Sequence, residues 1–251
     1  MLAAPQIAKH ENQTAGPHPV SNSLDRPGLA TYTLSRGKRD DECAEYRRFE
    51  FEVDCVCDLY IRCLPILVTA ETAKVVFDIM DADDWVSPSR IKRLLSVTVS
   101  PWRASLAEYW QRDEMGRKQF ALETLHAAMM WLAGIEGWPV EPLITAHDEC
   151  QQRGLVNEFF CKKKFPSPSR TFTIKLFCEF GPREAKLYAV VMRRSKEIAR
   201  IYLGDAKPCS TMIWMAVQSF SWLNDHSVQI TDSYFRGERL YDLTSVLEQT
   251  S

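Results

Sequence analysis

The hydrophobic pattern of this 251-residue chain changes from helical to alternating about two thirds of the way along it. Over residues 117–133, apolar side chains recur every three to four positions, which is typical of an amphipathic helix. Pro142 suits the first turn of a second helix, which Gly154 closes. Over residues 171–178, Phe, Ile and Leu instead alternate with Thr and Lys, as in a strand. Helices followed by strands predict an α+β fold with a helical N-terminal and middle part and a small antiparallel sheet.

The domain organisation follows from composition. Residues 1–45 contain four prolines, many small polar residues and a charged run, and such a segment buries too little apolar surface to offset its ordering entropy. We therefore predict a flexible leader, to which residues 31–34 could add a short edge strand. A single α+β domain is expected over residues 46–251. Within it we predict a helical segment over residues 60–110 and a β-rich segment over residues 170–232.

Local signals are weaker in the first half of this domain. Apolar and acidic residues alternate over residues 49–53, which predicts a short strand. Residues 55–63 fit either a helix or a buried strand. Proline suits a first helical turn because its missing N–H would have no partner there, so we expect a helix from Leu64-Pro65 to about Met80.

Two further helices are expected before residue 117. The first would begin near Pro88, with Leu94 and Leu95 facing inward. The second would follow Trp102, because a Ser-Pro pair at residues 100–101 restarts the chain. Near the C-terminus, residues 210–223 fit a helix by length and a strand by their aromatic content, so both remain open.

Charge and hydropathy argue against several classes of protein. Lys and Arg number 31 against 33 Asp and Glu, a formal net charge of -2. Strong nucleic-acid binding and polybasic membrane attachment both need a surplus of basic residues, so we expect neither. The longest apolar run in a helical pattern, residues 127–133, is far shorter than the roughly 20 residues that span a bilayer. No secretory signal is visible, so the eight cysteines are expected to be free thiols.

Motifs for common enzyme chemistry are absent from the sequence. There is no Gly-x-Ser-x-Gly elbow, Walker loop or dinucleotide-binding glycine pattern. Cys55-Val56-Cys57 with Cys43 and Cys63 could hold zinc, but no histidine lies nearby and the paired short spacings of structural zinc sites are missing. The acidic residues between 78 and 84 match no calcium loop. We therefore predict a protein that is not an enzyme and holds no metal or cofactor.

One basic segment carries aromatic neighbours. Lys162-Lys163-Lys164 follows Phe159-Phe160 and precedes Phe165. Aromatic residues interleaved with lysines can bind single-stranded nucleic acid by stacking and charge. A run of charges before a proline-rich turn is more often a solvated loop, which is the interpretation we favour here.

Two segments resemble a known family. Residues 60–68 read Tyr-Ile-Arg-Cys-Leu-Pro-Ile-Leu-Val, and residues 232–240 carry Tyr234, Gly237 and Glu238. Together with the size of the chain and the order of its elements, they resemble the silencing-suppressor proteins encoded by the first reading frame of poleroviruses. That family has an F-box-like Leu-Pro-x-x-Leu/Ile motif. Val68 stands where the motif has Leu or Ile, and the next proline, Pro88, lies further downstream than in the family.

The resemblance implies an adaptor without catalytic residues. Leu64, Pro65 and Val68 would bind the host Skp-type adaptor of a cullin ubiquitin ligase, since an amphipathic helix laid in a groove is a common recognition mode. Supporting contacts would come from Leu67, Leu94, Leu95 and Trp102. The function implied is a viral suppressor of RNA silencing in the host cell cytoplasm that directs host Argonaute to degradation.

Two alternatives of other kinds stay open. A small-RNA-binding suppressor would use residues 162–164 and would show salt-dependent binding. A bacterial immunity-type interaction protein would bind a toxin and would not bind plant adaptors.

Overall fold

The computed structural model describes residues 29–32, 40–67, 69, 71–80, 91–218, 220–232 and 237–248. These residues form an α+β fold, which confirms the predicted class. The elements in chain order are β1 (Leu29–Tyr32), α1 (Asp40–Cys63), β2 (Lys74–Met80), β3 (Lys92–Leu94), β4 (Val97–Arg103), α2 (Leu106–Gln111), α3 (Glu114–Glu136), α4 (Glu141–Gln152), β5 (Glu158–Pro166), β6 (Phe172–Phe180), β7 (Ala185–Arg193), β8 (Lys196–Ala206), α5 (Ser210–Gln218), β9 (Phe220–Asn224), β10 (Ser227–Asp232), β11 (Gly237–Asp242) and α6 (Thr244–Glu248).

The described strands form three sheets. The first sheet has the order β1-β2-β4-β3, in which β2 pairs in parallel with both β1 and β4, and β3 is antiparallel to β4. The second sheet is an antiparallel meander in the order β5-β6-β7-β8. The third sheet, β11-β10-β9, is also antiparallel.

Helix α1 is the central element of the core. It packs against α3, α4 and β1, and the Tyr60 hydroxyl donates a hydrogen bond to the Leu143 carbonyl on α4. On another side, the Asn157 amide beside β5 donates to the Cys55 carbonyl of α1. Because α1 contacts both helices and strands, most of its side chains over residues 49–63 are buried.

The strand predicted for residues 49–53 is wrong, because these residues lie within α1. Phe49, Val53, Val56 and Tyr60 are all buried, which is helical spacing. The false alternation arose because Glu52 is also buried, in a cluster of polar side chains that the local sequence does not reveal. The open choice at residues 55–63 is resolved as helix.

The helix predicted from Leu64 to Met80 is also wrong. Helix α1 ends at Cys63, residues 64–67 are non-helical, and β2 occupies residues 74–80. Proline disfavours helical backbone in the residue before it, so Leu64-Pro65 ends a helix here and does not begin one. Adjacent residues Val75, Val76 and Phe77 are all buried, as expected for a parallel strand covered on both faces, and this removes the alternation that would identify it.

The same error affects the following segment. Residues 92–94 and 97–103 are strands, with the positive φ of Leu95 (54°) at the turn between them. The helical prediction for residues 60–110 therefore fails in most of its described part beyond Cys63. The exception is α2, which begins at Leu106 after Ser105 caps it by accepting a hydrogen bond from the Glu108 N–H.

The strongly periodic segments are confirmed. Helix α3 ends at Gly137, whose φ of 68° is the left-handed conformation that glycine adopts readily. Helix α4 and strand β6 match their predictions closely, and strands β7 and β8 lie within the predicted β-rich segment. Residues 210–223 contain both of the alternatives, since α5 occupies residues 210–218 and β9 begins at Phe220. In the predicted leader, β1 and the start of α1 are regular elements, and the rest lies outside the described residues.

Candidate functional site

The F-box-like residues do not form a helical ridge. Leu64 and Leu67 are buried, whereas Pro65 and Ile66 are exposed, with 77% of Ile66 accessible. Val68 lies outside the described residues. The expected helix start is therefore a short non-helical segment that presents Pro65 and Ile66 while its leucines pack inward.

The supporting residues of that motif lie in different environments. Leu94 and Leu95 are exposed at the β3–β4 turn. Trp102 on β4 packs its ring 6.3 Å from Phe77 and 5.7 Å from Trp131. These three residues therefore do not share one exposed surface on a helix, and the prediction that Leu94 and Leu95 face inward is wrong.

The C-terminal residues of the resemblance are only partly described. Gly237 and Glu238 lie on β11, opposite Asp232 and Thr231 of β10. Tyr234 lies outside the described residues. Their predicted role therefore stays a prediction.

The cysteines and acidic residues that the structure describes show no ligand cluster. Cys55 and Cys57 are buried on α1, where burial raises the pKa of Cys55 to about 12. The seven cysteines with described side chains form no disulfide with one another. In the part of the chain that the structure describes, no group of three His, Cys, Asp or Glu side chains could hold a metal ion. Residues 81–84 lie outside that part.

A histidine pair lies between α3 and α4. The rings of His126 and His147 are 4.4 Å apart, and the Tyr60 hydroxyl lies 3.2 Å from His126 Nδ1. His147 Nε2 lies 3.1 Å from a Glu123 carboxylate oxygen. Burial lowers the pKa of His126 and raises that of Tyr60, so both stay neutral near pH 7. Tyr60 and His126 connect α1 with α3, and His147 and Glu123 connect α4 with α3. The cluster therefore packs the three helices together.

The second sheet carries a row of aromatic rings across all of its strands. Phe160 on β5, Phe177 on β6, Tyr188 on β7 and Tyr202 on β8 are direct cross-strand partners. Successive ring centres are 5.0, 6.2 and 5.5 Å apart. We call these four residues the aromatic row, and the side of the sheet that bears them the outer face.

The rings differ in how far they are open to solvent. Phe160 is 45% exposed and Tyr202 is 48% exposed, whereas Tyr188 is half-buried and Phe177 is buried between its neighbours. On the opposite face of β6, Ile174, Leu176 and Cys178 are buried in the core. The two ends of the row and its third ring are therefore available to a ligand.

Basic side chains follow the aromatic row on one side. Lys164 on β5 and Lys175 on β6 are direct cross-strand partners, and Val190 on β7 separates them from Arg200 on β8. The Lys175 ammonium lies 5.6 Å from the Phe160 ring centre. We call Lys164, Lys175 and Arg200 the basic row.

Acidic side chains follow the aromatic row on its other side. Glu158 on β5 lies opposite Glu179 on β6, and Lys186 on β7 lies opposite Asp205 on β8. The Tyr188 hydroxyl donates a hydrogen bond to a Glu179 oxygen at 3.1 Å. Hydrogen bonding to Asp205 raises the pKa of Tyr202 to about 12, so this phenol stays neutral.

The lysine run contributes to this surface in a way that the sequence did not suggest. Lys162, Lys163 and Lys164 lie on β5, so the prediction of a solvated loop is wrong here. The register of β5 against β6 is irregular between Phe160 and Lys164. The irregularity brings Lys164 opposite Lys175. The aromatic residues beside this lysine triplet indicated a possible binding site in the sequence. No comparable pattern marked Tyr188 on β7 or Tyr202 on β8.

Comparison with protein-family models, with curated proteins and with solved structures found no match. Among the described residues, no helix is both long and apolar enough to cross a membrane.

Proposed function

We propose that this protein binds single-stranded nucleic acid on the outer face of its second sheet. The observation that carries the proposal is the aromatic row, in which Phe160, Phe177, Tyr188 and Tyr202 are aligned across four strands. Aromatic rings on an antiparallel sheet provide stacking surfaces for unpaired bases. Such stacking contributes about 1–3 kcal/mol per base, and every base offers a ring face for it.

The spacing of the rings favours a single strand over a duplex. Ring centres 5.0 to 6.2 Å apart are further apart than the roughly 3.4 Å between stacked base pairs. Bases must therefore be unstacked from each other to reach separate rings. An unpaired strand can be splayed in this way, whereas a duplex must first be opened.

The basic row supplies a place for the phosphates. Lys164 and Lys175 face each other directly, although like charges at such positions destabilise a sheet. Within the described part of the chain, no carboxylate lies within ion-pair distance of either lysine. An anionic ligand above them would relieve their repulsion.

This proposal differs from the expectation of no strong nucleic-acid binding, which rested on the net charge of -2. Net charge sums over the whole chain, whereas binding depends on the charges within about one Debye length of the ligand. A few cations beside stacking rings are consistent with modest, salt-sensitive affinity. No catalytic residue is needed.

Fluorescence anisotropy with labelled RNA and DNA of about 12 nucleotides tests the proposal. We expect single strands to bind, duplexes of the same sequence to bind more weakly, and affinity to fall between about 50 and 200 mM salt. Equal or tighter binding of the duplex, or no binding of any single strand, would show that the proposal is wrong.

The adaptor function implied by the family resemblance is a second proposal, supported by the exposure of Pro65 and Ile66. These two side chains are available to a partner without unfolding the segment. A pull-down of the plant Skp-type adaptor with the Pro65→Ala/Ile66→Ala variant tests it, with Ile144→Ala on α4 as a matched exposed control. We expect the double variant alone to lose binding. Retained binding, or no binding of the unmodified protein, removes this assignment.

A further inference from the structure

Charges on the outer face are segregated across the aromatic row. Lys164 and Lys175 are direct partners on one side, and Glu158 and Glu179 are direct partners on the other. Opposite charges at such positions stabilise a sheet and like charges destabilise it. Exchanging one lysine with one glutamate would replace both unfavourable pairs with favourable ones. Sheet stability therefore does not explain this arrangement.

Neighbouring charges only partly compensate the acidic side. Lys186 lies opposite Glu179, but its ammonium is 3.3 Å from Glu184, which adds another carboxylate. Asp205 lies on the far side of Lys186. Lys118 and Arg183 also line the cleft beside these residues, together with Glu114. Carboxylates still outnumber the cations on the acidic side, so a phosphate backbone is repelled from it.

We infer that a bound strand lies along the aromatic row with its phosphates over Lys164 and Lys175 and its base edges toward Glu158 and Glu179. This inference rests on the proposed function. The bound nucleic acid then crosses the β-strands at a steep angle, because the aromatic row runs from β5 to β8. The charge segregation fixes which side of the row holds the backbone.

This orientation gives the site a base preference. Carboxylates accept hydrogen bonds from exocyclic amino groups, such as N4 of cytosine. Uracil has the O4 carbonyl oxygen at the corresponding position, which a carboxylate repels. One Glu179 oxygen accepts from Tyr188, and the glutamate has a second oxygen that can accept from a base. Both glutamates line a cleft of about 300 Å³ between the sheet and the start of α3.

The preference is tested with oligocytidine and oligouridine of about 12 nucleotides, which have rings of the same size. We expect oligocytidine to bind roughly tenfold more tightly at neutral pH, the effect of one good base-edge contact. Equal affinities, or tighter binding of oligouridine, overturn the inference and leave the proposed function standing. If neither oligomer binds, the proposed function fails and the inference fails with it.

The Glu158→Gln/Glu179→Gln variant assigns the preference to these side chains. A glutamine amide can donate to a uracil carbonyl as well as accept, so the affinity ratio should fall to about one while oligouridine binding is retained or strengthened. The Glu108→Gln/Glu141→Gln variant removes two carboxylates from α2 and α4 and should keep the tenfold ratio. A ratio unchanged in the first variant overturns the role given to Glu158 and Glu179.

Discussion

The guanidinium carbon of Arg200 on β8 lies 4.4 Å from the centre of the Phe177 ring on β6, although β7 separates the two strands. Val190, the partner of Arg200 on β7, is fully buried even though it belongs to the outer face. The arginine side chain therefore extends over Val190 and covers Phe177. This leaves Phe160, Tyr188 and Tyr202 as the rings that a base can reach.

Replacing Phe160 and Tyr202 together by leucine should weaken single-strand binding by about 2 kcal/mol or more, since two stacking surfaces are lost. Folding should be little affected, because both side chains are about half exposed and leucine keeps most of their apolar surface. Anisotropy titrations measure the change, and circular dichroism checks the fold. Trp214→Leu, at a residue 47% exposed on α5, should bind as the unmodified protein does. Undiminished binding by the double variant would contradict the stacking role of the row.

Replacing Lys164 and Lys175 by glutamine should weaken nucleic-acid binding without lowering the stability of the protein. The slope of log affinity against log salt should become shallower by about 1.4, because each phosphate contact on a single strand contributes about 0.7. Thermal stability should stay equal or rise, because a pair of like charges is removed. The Lys92→Gln/Arg103→Gln variant, which changes two cations on the first sheet, should leave the slope unaltered. A slope that both double variants share would rule out a specific contribution from Lys164 and Lys175.

Buried Glu52 is the centre of a charge cluster that should contribute strongly to stability. Its oxygens lie 2.8 Å from Arg48 Nε and 3.2 Å from Arg117 Nε, and the Tyr109 hydroxyl donates to one of them at 3.0 Å. Glu52→Ala should lower the free energy of unfolding by about 3–5 kcal/mol, because Arg117, itself largely buried, loses its counter-charge.

Urea unfolding measures this loss, with Tyr109→Phe as the comparison. That variant removes one hydrogen bond and keeps the ring, so it should cost only about 1–2 kcal/mol. Equal losses for the two variants would mean that charge pairing at Glu52 is unimportant.

Asp54 should make the protein less stable as the pH rises, which is opposite to the usual effect of a carboxylate in a folded protein. Its carboxylate accepts hydrogen bonds from the Ser210 N–H and hydroxyl at the start of α5, yet burial raises its pKa from 3.8 to about 6. Between these pH values the folded state keeps the proton and the unfolded state has lost it. The unfolded state then binds fewer protons, so the contribution of Asp54 to the free energy of unfolding falls as the pH rises from about 4 to 6.

Asparagine at this position cannot titrate. The free energy of unfolding of the unmodified protein, relative to that of Asp54→Asn, should therefore fall by up to about 3 kcal/mol between these pH values. Urea titrations of both proteins at several pH values give this difference directly. A difference that is constant with pH would show that Asp54 has an ordinary pKa.

Two residues in the segment after α1, Leu64 and Ile66, should differ strongly in their contribution to the free energy of unfolding. Leu64→Ala should cost about 2–5 kcal/mol, because the side chain is only 5% exposed and its loss leaves a cavity. Ile66→Ala should change stability by less than about 0.5 kcal/mol, because that side chain is mostly in solvent. Denaturant unfolding measures both. Similar losses for the two variants would mean that Ile66 is packed inward.

The hydrophobic pattern of the sequence predicted secondary structure correctly where one face of an element is buried and the other is in solvent. The stripe of α3 and the alternation of β6 have that environment, and both were predicted. Strand β2 is enclosed on both faces, so its apolar residues are consecutive and match no period. In α1, the burial of Glu52 interrupted the helical stripe and produced a false alternation.

Some features of the candidate site also follow from the sequence, and others depend on the tertiary structure. The sequence by itself determined that Lys175 and Phe177 share one face of β6 while Ile174 and Leu176 take the other, because side chains alternate along any strand. It also determined that the whole chain is nearly neutral. Only the tertiary structure decided that Phe160, Tyr188 and Tyr202 align with Phe177 and that the charges separate on either side of them. Register depends on how distant strands pair and where their irregularities fall, and the order of residues within one strand does not specify it.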